Sequence, residues 1–214
     1  MPSMQKKVSY QITHPYETMN AYTADTKNVW IVFHGMGYLS RYFLRYFAGL
    51  NPKEHYIIAP QGPNTYYQDG RFKHVGASWL TRENTAMGVD NVLSYIDAVY
   101  EAENISEEKN LIVLGYSQGV SIASRWLAYR KISCDHLALL SGSVPKELTA
   151  AHFKHLSPET KVAFHYGTED EYISEERAHA ETKNAKAIFG SRLTISTFEG
   201  PHEVDTSFIN KIII

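Results

Sequence analysis

Leu111-Ile112-Val113-Leu114-Gly115-Tyr116-Ser117-Gln118-Gly119 is the stretch on which the fold turns. Residues 111–114 are continuously apolar, the mark of a strand buried on both faces. A serine between two spaced glycines follows. An amphipathic helical pattern over residues 117–129 comes next, with Val120, Ile122, Ala123 and Leu127 on its stripe. A serine hydroxyl is a poor nucleophile and must be presented clear of the sheet to a base. A sharp strand-to-helix turn does this at the cost of a strained serine backbone. The positions two before and two after must then be tiny, as Gly115 and Gly119 are. A serine that merely capped the helix would need neither glycine.

Outward from this point the chain alternates strands and helices. Further strands are expected at 29–33 (VWIVF), 56–59 (YIIA), 136–140 (HLALL), 162–165 (VAFH) and 193–198 (LTISTF), with an edge strand at 8–13. Helices are expected at 39–50, 84–103 and 175–189. This alternation predicts an α/β fold: one domain over residues 1–214, a mostly parallel central sheet and helices on both faces. No insertion is long enough for a separate lid domain. In such sheets the chemistry sits at the carboxyl ends of the strands, so each catalytic residue should follow a strand.

Two loops meet that condition after Ser117. Tyr166-Gly167-Thr168-Glu169-Asp170 follows the fifth strand, and Glu199-Gly200-Pro201-His202 follows the sixth. The order serine, acid, histidine is that of the α/β-hydrolases. Asp170 is the expected acid, holding the tautomer of His202, and His202 the expected base. Glu169 adjoins Asp170 and is the alternative acid. A turn-capping Asp170 and a surface-loop His202 are the plain structural readings, weakened by their arrival together in the required order. Glu203 reads as a solvated residue of the last helix. His165, inside a strand, reads as a satisfied interior histidine. Cys134 precedes a strand, at the end opposite the chemistry, and reads as structural.

His34-Gly35-Met36-Gly37 follows the strand at 29–33. A tetrahedral intermediate needs preorganised N–H donors, each worth roughly 2.7–4 kcal/mol in other enzymes. The backbone N–H groups of Met36 and Gln118 are the candidates. Residues 60–80 form the longest stretch without a helix, with Asp69-Gly70 as a hairpin turn. They read as a substrate-facing flap or as a plain surface hairpin. Tyr38, Tyr66, Tyr67 and Trp79 are the candidate substrate contacts.

Bulk properties narrow the classes. Lys plus Arg number 21 and Asp plus Glu 23, a net charge of −2, which argues against a nucleic-acid binder. The single cysteine excludes an intramolecular disulfide and a Cys-based zinc site, and no metal site is expected. No secretory pattern and no apolar window of membrane-spanning length stands out, so a cytoplasmic protein is expected. Ile212-Ile213-Ile214 reads as the packed end of a last helix.

With these residues in place the chain resembles the phospholipase/carboxylesterase family, the acyl-protein thioesterase-like branch of the α/β-hydrolases. The resemblance spans about residues 29–204. It rests on Gly115-Tyr116-Ser117-Gln118-Gly119, His34-Gly35-Met36-Gly37, Ala59-Pro60 with Ser78-Trp79, Gly167 with Asp170, and Gly200 with His202. Tyr38 stands where the family often carries an acidic residue, and Pro201 directly precedes the base. The resemblance implies Ser117, Asp170 and His202 as triad and Met36 and Gln118 as oxyanion donors. It implies carboxylic ester or thioester substrates with apolar acyl groups, lysophospholipids being one form, and no cofactor. Hydrolysis through an acyl-enzyme on Ser117 is the leading expectation, with thioester cleavage or acyl transfer through the same intermediate beside it. A non-catalytic binding protein on this fold is the reading from another class. A monomer or homodimer is expected.

Overall fold

Strands form where β-branched and aromatic residues run together, and the computed structural model, which describes residues 3–212, joins seven of them in one sheet. These are β1 (Tyr16–Met19), β2 (Asn28–Phe33), β3 (His55–Pro60), β6 (Asn110–Tyr116), β7 (His136–Leu140), β8 (Lys161–Gly167) and β9 (Leu193–Phe198). Their order across the sheet is β1-β3-β2-β6-β7-β8-β9. β1 runs antiparallel to β3, and the other pairs are parallel. β4 (Asn64–Tyr67) and β5 (Val75–Ser78) make a separate antiparallel hairpin. The result is an α/β-hydrolase fold, with no separate lid among the described residues.

Side chains alternate between two cores, as strand geometry requires. Val29, Ile31 and Phe33 of β2 belong to the core shared with α2 (Thr85–Glu103), α3 (Gln118–Arg130) and α4 (Glu175–Phe189). Trp30 and Val32 face the other way, toward α1 (Ser40–Phe43), the 3₁₀ turn Leu44–Phe47 and α5 (Thr206–Lys211). Both faces of β2 are therefore fully buried, which explains its unbroken apolar run.

Three expectations are corrected. Residues 8–13 form no strand, and Val8, Tyr10 and Ile12 are exposed. The open edge of β3 is taken by Tyr16–Met19, whose four residues register with Pro60 to Ile57. The helix expected over 39–50 shortens to α1 and a 3₁₀ turn. Leu44 and Phe47, three apart, are both buried, and the three-residue period of the 3₁₀ turn puts both on one face. Glu203 lies outside the last helix, which begins at Thr206. Ile212 follows α5 and packs partly on the core, while Ile213 and Ile214 lie outside the described residues.

The register brings the carboxyl ends of the central strands level. Phe33 pairs with Gly115, Tyr116 with Leu140, Leu140 with His165, and Gly167 with Phe198. The loops after β2, β6, β8 and β9 thus share one edge. The first turn of α3 presses on the end of β2 there. A Cβ added to Gly119 would stand 2.0 Å from the Phe33 carbonyl oxygen, a distance no neighbour can relieve without moving backbone. Gly119→Ala should therefore lower unfolding stability by about 3 kcal/mol or more. Gly70→Ala, where nothing lies within 4 Å, should change it by less than about 0.5 kcal/mol. Urea denaturation of both variants checks the contrast.

Candidate active site

The turn between β6 and α3 carries the strain that the Gly-x-Ser-x-Gly spacing predicts. Ser117 has φ 53° and ψ −117°, outside the regions open to ordinary residues. Such a backbone costs about 1–3 kcal/mol and persists only when its surroundings hold it. Here they do. The Ser117 N–H donates to the Leu140 carbonyl at 2.8 Å, and the Val120 N–H donates to the Ser117 carbonyl at 3.1 Å. A Cβ on Gly115 would lie 2.5 Å from the Gly119 carbonyl oxygen. Both glycines are sterically required.

The structure brings Ser117, His202 and Asp170 together. His202 Nε2 is 2.9 Å from Ser117 Oγ, and His202 Nδ1 is 2.7 Å from Asp170 Oδ2. The Asp170 side chain is fully buried. Its other oxygen, Oδ1, accepts from the Tyr172 N–H at 2.8 Å and the Ile173 N–H at 3.1 Å. A buried carboxylate is stable only when its lone pairs are filled, and these are. Glu169, the alternative acid, is exposed to solvent.

Tyr116 is a participant that sequence reading missed. Its hydroxyl donates to the His202 carbonyl at 2.9 Å, and its ring lies 5.2 Å from the imidazole. Tyr172 closes on the same imidazole edge-on at 4.8 Å. Burial pushes the Tyr116 phenol upward, so it remains a donor. The signal was a tyrosine at the variable position of the motif, which carries no role by spacing alone.

The loop after β2 reaches the serine from the other side. A Cβ on Gly35 would fall 3.1 Å from Ser117 Cβ. Among the described residues, neither the Met36 N–H nor the Gln118 N–H donates to a protein acceptor. The Gln118 side chain is occupied elsewhere: its Oε1 accepts from the Trp79 N–H at 2.8 Å and its Nε2 donates to the Leu80 carbonyl at 2.7 Å. The loop is also stitched to the hairpin. Gly37 N–H donates to the Ala77 carbonyl at 2.8 Å, and Ala77 N–H to the Tyr38 carbonyl at 3.1 Å.

The four tentative substrate contacts separate. Tyr66 and Tyr67 are exposed on the hairpin. Tyr38 is half-buried, with its hydroxyl 3.1 Å from that of Tyr46 and its ring against Tyr116. Trp79 is corrected: it is fully buried, and its indole N–H donates to the His34 carbonyl at 2.8 Å. It supports the loop from beneath, because the hairpin's last strand dives into the core. The hairpin turn is also not the two-residue Asp69-Gly70 form. Residues 68–74 make a longer loop in which Phe72, not Gly70, takes the left-handed conformation at φ 57°.

His165 is buried between Ser196 Oγ at 2.8 Å and Asp205 Oδ2 at 3.0 Å, and it stacks on Phe208. Cys134 is buried, and desolvation pushes its thiol up to about 12, so it stays a thiol. Among the described residues no group of three or more His, Cys, Asp or Glu could hold a metal. No helix among them is long and apolar enough to cross a membrane. A surface depression of about 670 Å³ lies at the other end of the sheet, beside Thr26, Glu54 and Asn110.

A sequence profile described as phospholipase/carboxylesterase matches residues 14–213. The chain belongs to this family. It is an esterase-type α/β-hydrolase, and its fold recurs in solved structures. Esterase PE8 matches with TM-score 0.68 and 18% identity, over 94% of this chain and 100% of that one. Acyl-protein thioesterase 2 of Zea mays matches with TM-score 0.67 and 15% identity, over 94% and 98%. A phospholipase/carboxylesterase of Dyadobacter fermentans matches with TM-score 0.64 and 16% identity, over 96% and 99%. At these identities the likeness is one of fold. No curated protein matches the chain.

His34, the first residue of the loop after β2, is wholly buried. Its Nδ1–H donates to the Gly35 carbonyl at 2.7 Å, and its Nε2 accepts from the Gly62 N–H at 2.9 Å. That pair of bonds requires the neutral ring. Burial lowers its pKa to about 4, against a smaller opposing effect of the Gly35 carbonyl. The unfolded chain binds this proton below about pH 6.5, while the native protein does not until about pH 4. The unfolded state therefore carries more protons in that window, and stability falls as pH falls through it, by about 3 kcal/mol in all. Chemical denaturation between pH 7 and pH 4 should show this loss, and His34→Gln should flatten it.

Proposed function

We propose that this family member is a serine hydrolase of carboxylic esters, acting through an acyl-enzyme on Ser117. The observation that carries the reading is the unbroken chain Ser117 Oγ–His202–Asp170, with contacts of 2.9 Å and 2.7 Å, ending on a strained serine. Ser117 Oγ attacks the ester carbonyl carbon and passes its proton to His202 Nε2. Asp170 holds the imidazole in its Nδ1–H tautomer and stabilises the imidazolium. The oxyanion takes the N–H groups of Met36 and Gln118. The imidazolium protonates the departing alcohol, the C–O bond breaks, and the acyl group stays on Ser117. Water, deprotonated by His202, then attacks the acyl carbon, and Ser117 leaves with its proton restored. A thiol leaving group would follow the same course. Tyr116 positions the base through the His202 carbonyl and touches no reacting atom.

A fluorophosphonate probe should label the folded wild-type protein at Ser117, read by mass spectrometry of the peptide. Ser117→Ala should lose the label and lower kcat for p-nitrophenyl esters by at least about 10⁴-fold. Folded wild-type protein that resists the probe, or a fully active Ser117→Ala, would overturn the assignment. Comparing oxyesters with thioesters of increasing chain length defines the preferred leaving atom and acyl length.

A further inference from the structure

Beside the donor loop lies a second cavity whose chemistry the ester reading does not use. It has a volume of about 330 Å³ and begins at Gly37. Arg41, Lys73 and His74 line it, together with Leu39, Tyr42 and Val75, and no acidic residue does. The cationic side comes from two separate elements. Arg41 stands on α1, while Lys73, next in sequence to His74, stands in the loop joining β4 to β5. Arg45, one helical turn after Arg41, adds to the field. Both guanidinium carbons lie over the Tyr42 ring, at 5.0 Å and 4.7 Å from its centre.

Among the described residues these charges have no ion-pair partner. The described ion pairs employ Lys27, Arg125, Arg130 and Arg177 among the lysines and arginines. None employs Arg41, Arg45 or Lys73. In a chain of net charge −2, a pocket lined by cations and by no carboxylate is a local inversion of the overall balance. Like charges held this close repel, and an anion placed among them turns that repulsion into attraction. The guanidinium fork of Arg41 matches a carboxylate or phosphate, and Lys73 supplies a point charge.

The cavity is within reach of the reacting centre. Gly35 touches Ser117, and Gly37, at the cavity wall, is two residues further on. Two Cα steps span at most about 7.6 Å. One ligand molecule can thus present a carbonyl to Ser117 and a second group to Arg41 and Lys73. Leu39, Tyr42 and Val75 give the cavity itself an apolar wall.

We propose that the pocket formed by Arg41, Lys73 and His74 beside Gly37 is an anion-binding subsite, so that the preferred substrate is an ester bearing a carboxylate or phosphate a few bonds from its scissile carbonyl. This rests on the ester-hydrolase reading for its catalytic half, and on the cavity alone for its binding half. The test uses the full chain. Hydrolysis of neutral p-nitrophenyl acyl esters is compared with that of p-nitrophenyl monoesters of dicarboxylic acids from succinate to suberate. A second arm places the carboxylate on the leaving group, as in acyl esters of 4-hydroxybenzoate. The wild-type protein should favour one anionic series, through KM, and lose the preference in high salt.

The exposed double variant Arg41→Gln with Lys73→Gln should lower the ratio of anionic to neutral kcat/KM at least tenfold. Restoring charge with Lys73→Arg should recover part of it. No anionic preference in the wild type, or an unchanged ratio in the double variant, would overturn the proposal. Titration with glutarate and inorganic phosphate, followed by NMR at Lys73 and His74, separates the two readings. Binding that the double variant abolishes, in a protein that turns over no ester, upholds the subsite and sinks the hydrolase. Ester turnover without any such binding or preference does the reverse.

Discussion

The close approach of Gly119 to the Phe33 carbonyl is the contact on which the site depends. It lets α3 begin directly over the end of β2, and the chain leaving β6 must then turn sharply. That turn forces Ser117 to φ 53°. The strain is held because the Ser117 N–H finds the Leu140 carbonyl on the neighbouring strand. Parallel pairing of β6 with β7 therefore does more than fill the sheet. It supplies the acceptor that makes a costly backbone conformation stable.

From the same contact follows the placement of the loop after β2. Phe33 ends the strand under Gly119, and the next three residues pass along the serine. This loop is built like a buttress with polar joints. Neutral His34 bridges it to Gly62, Trp79 bonds the His34 carbonyl, and the Gln118 amide holds the Trp79 backbone. Each joint satisfies a buried donor or acceptor that would otherwise cost free energy. Among the described residues, the Met36 and Gln118 N–H groups are left without a protein acceptor.

Much of this was legible in the chain. The continuous apolar runs located the central strands, because strands buried on both faces leave no polar positions. The histidine and aspartate could be picked out because strand ends order the loops. What escaped was decided by tertiary contact. Val8, Tyr10 and Ile12 alternate well, yet Tyr16–Met19 takes the edge of β3. Trp79 reads as a ligand contact because it lies in the flap segment 60–80, but its indole fits between Phe33 and His34. Phe72 bends the hairpin loop where Gly70 was expected to, so the Asp-Gly signal was overridden by the longer loop. The side-chain work of Tyr116, Gln118 and His34 has no periodic signature at all.

These observations divide the site into a fixed part and a variable one. Ser117, Asp170 and His202 are held at the sheet edge: the Leu140 carbonyl takes the Ser117 N–H, the Tyr172 and Ile173 N–H groups fill the Asp170 carboxylate, and Tyr116 bonds the His202 carbonyl. The hairpin is attached to that core chiefly at its stem, through Ala77, Ser78 and the Trp79 backbone. Its loop over residues 68–74 touches the site through Gln68, whose amide donates to the Gly37 carbonyl. Substitutions in that loop can therefore change the charge and shape of the cavity beside Gly37 without loosening the turn at Ser117. An esterase arranged this way keeps one reaction mechanism while the exposed loop, with α1 across the cavity, selects what reaches it. Arg41 from α1 and Lys73 from the hairpin loop both line that cavity, and their charges make the selection electrostatic.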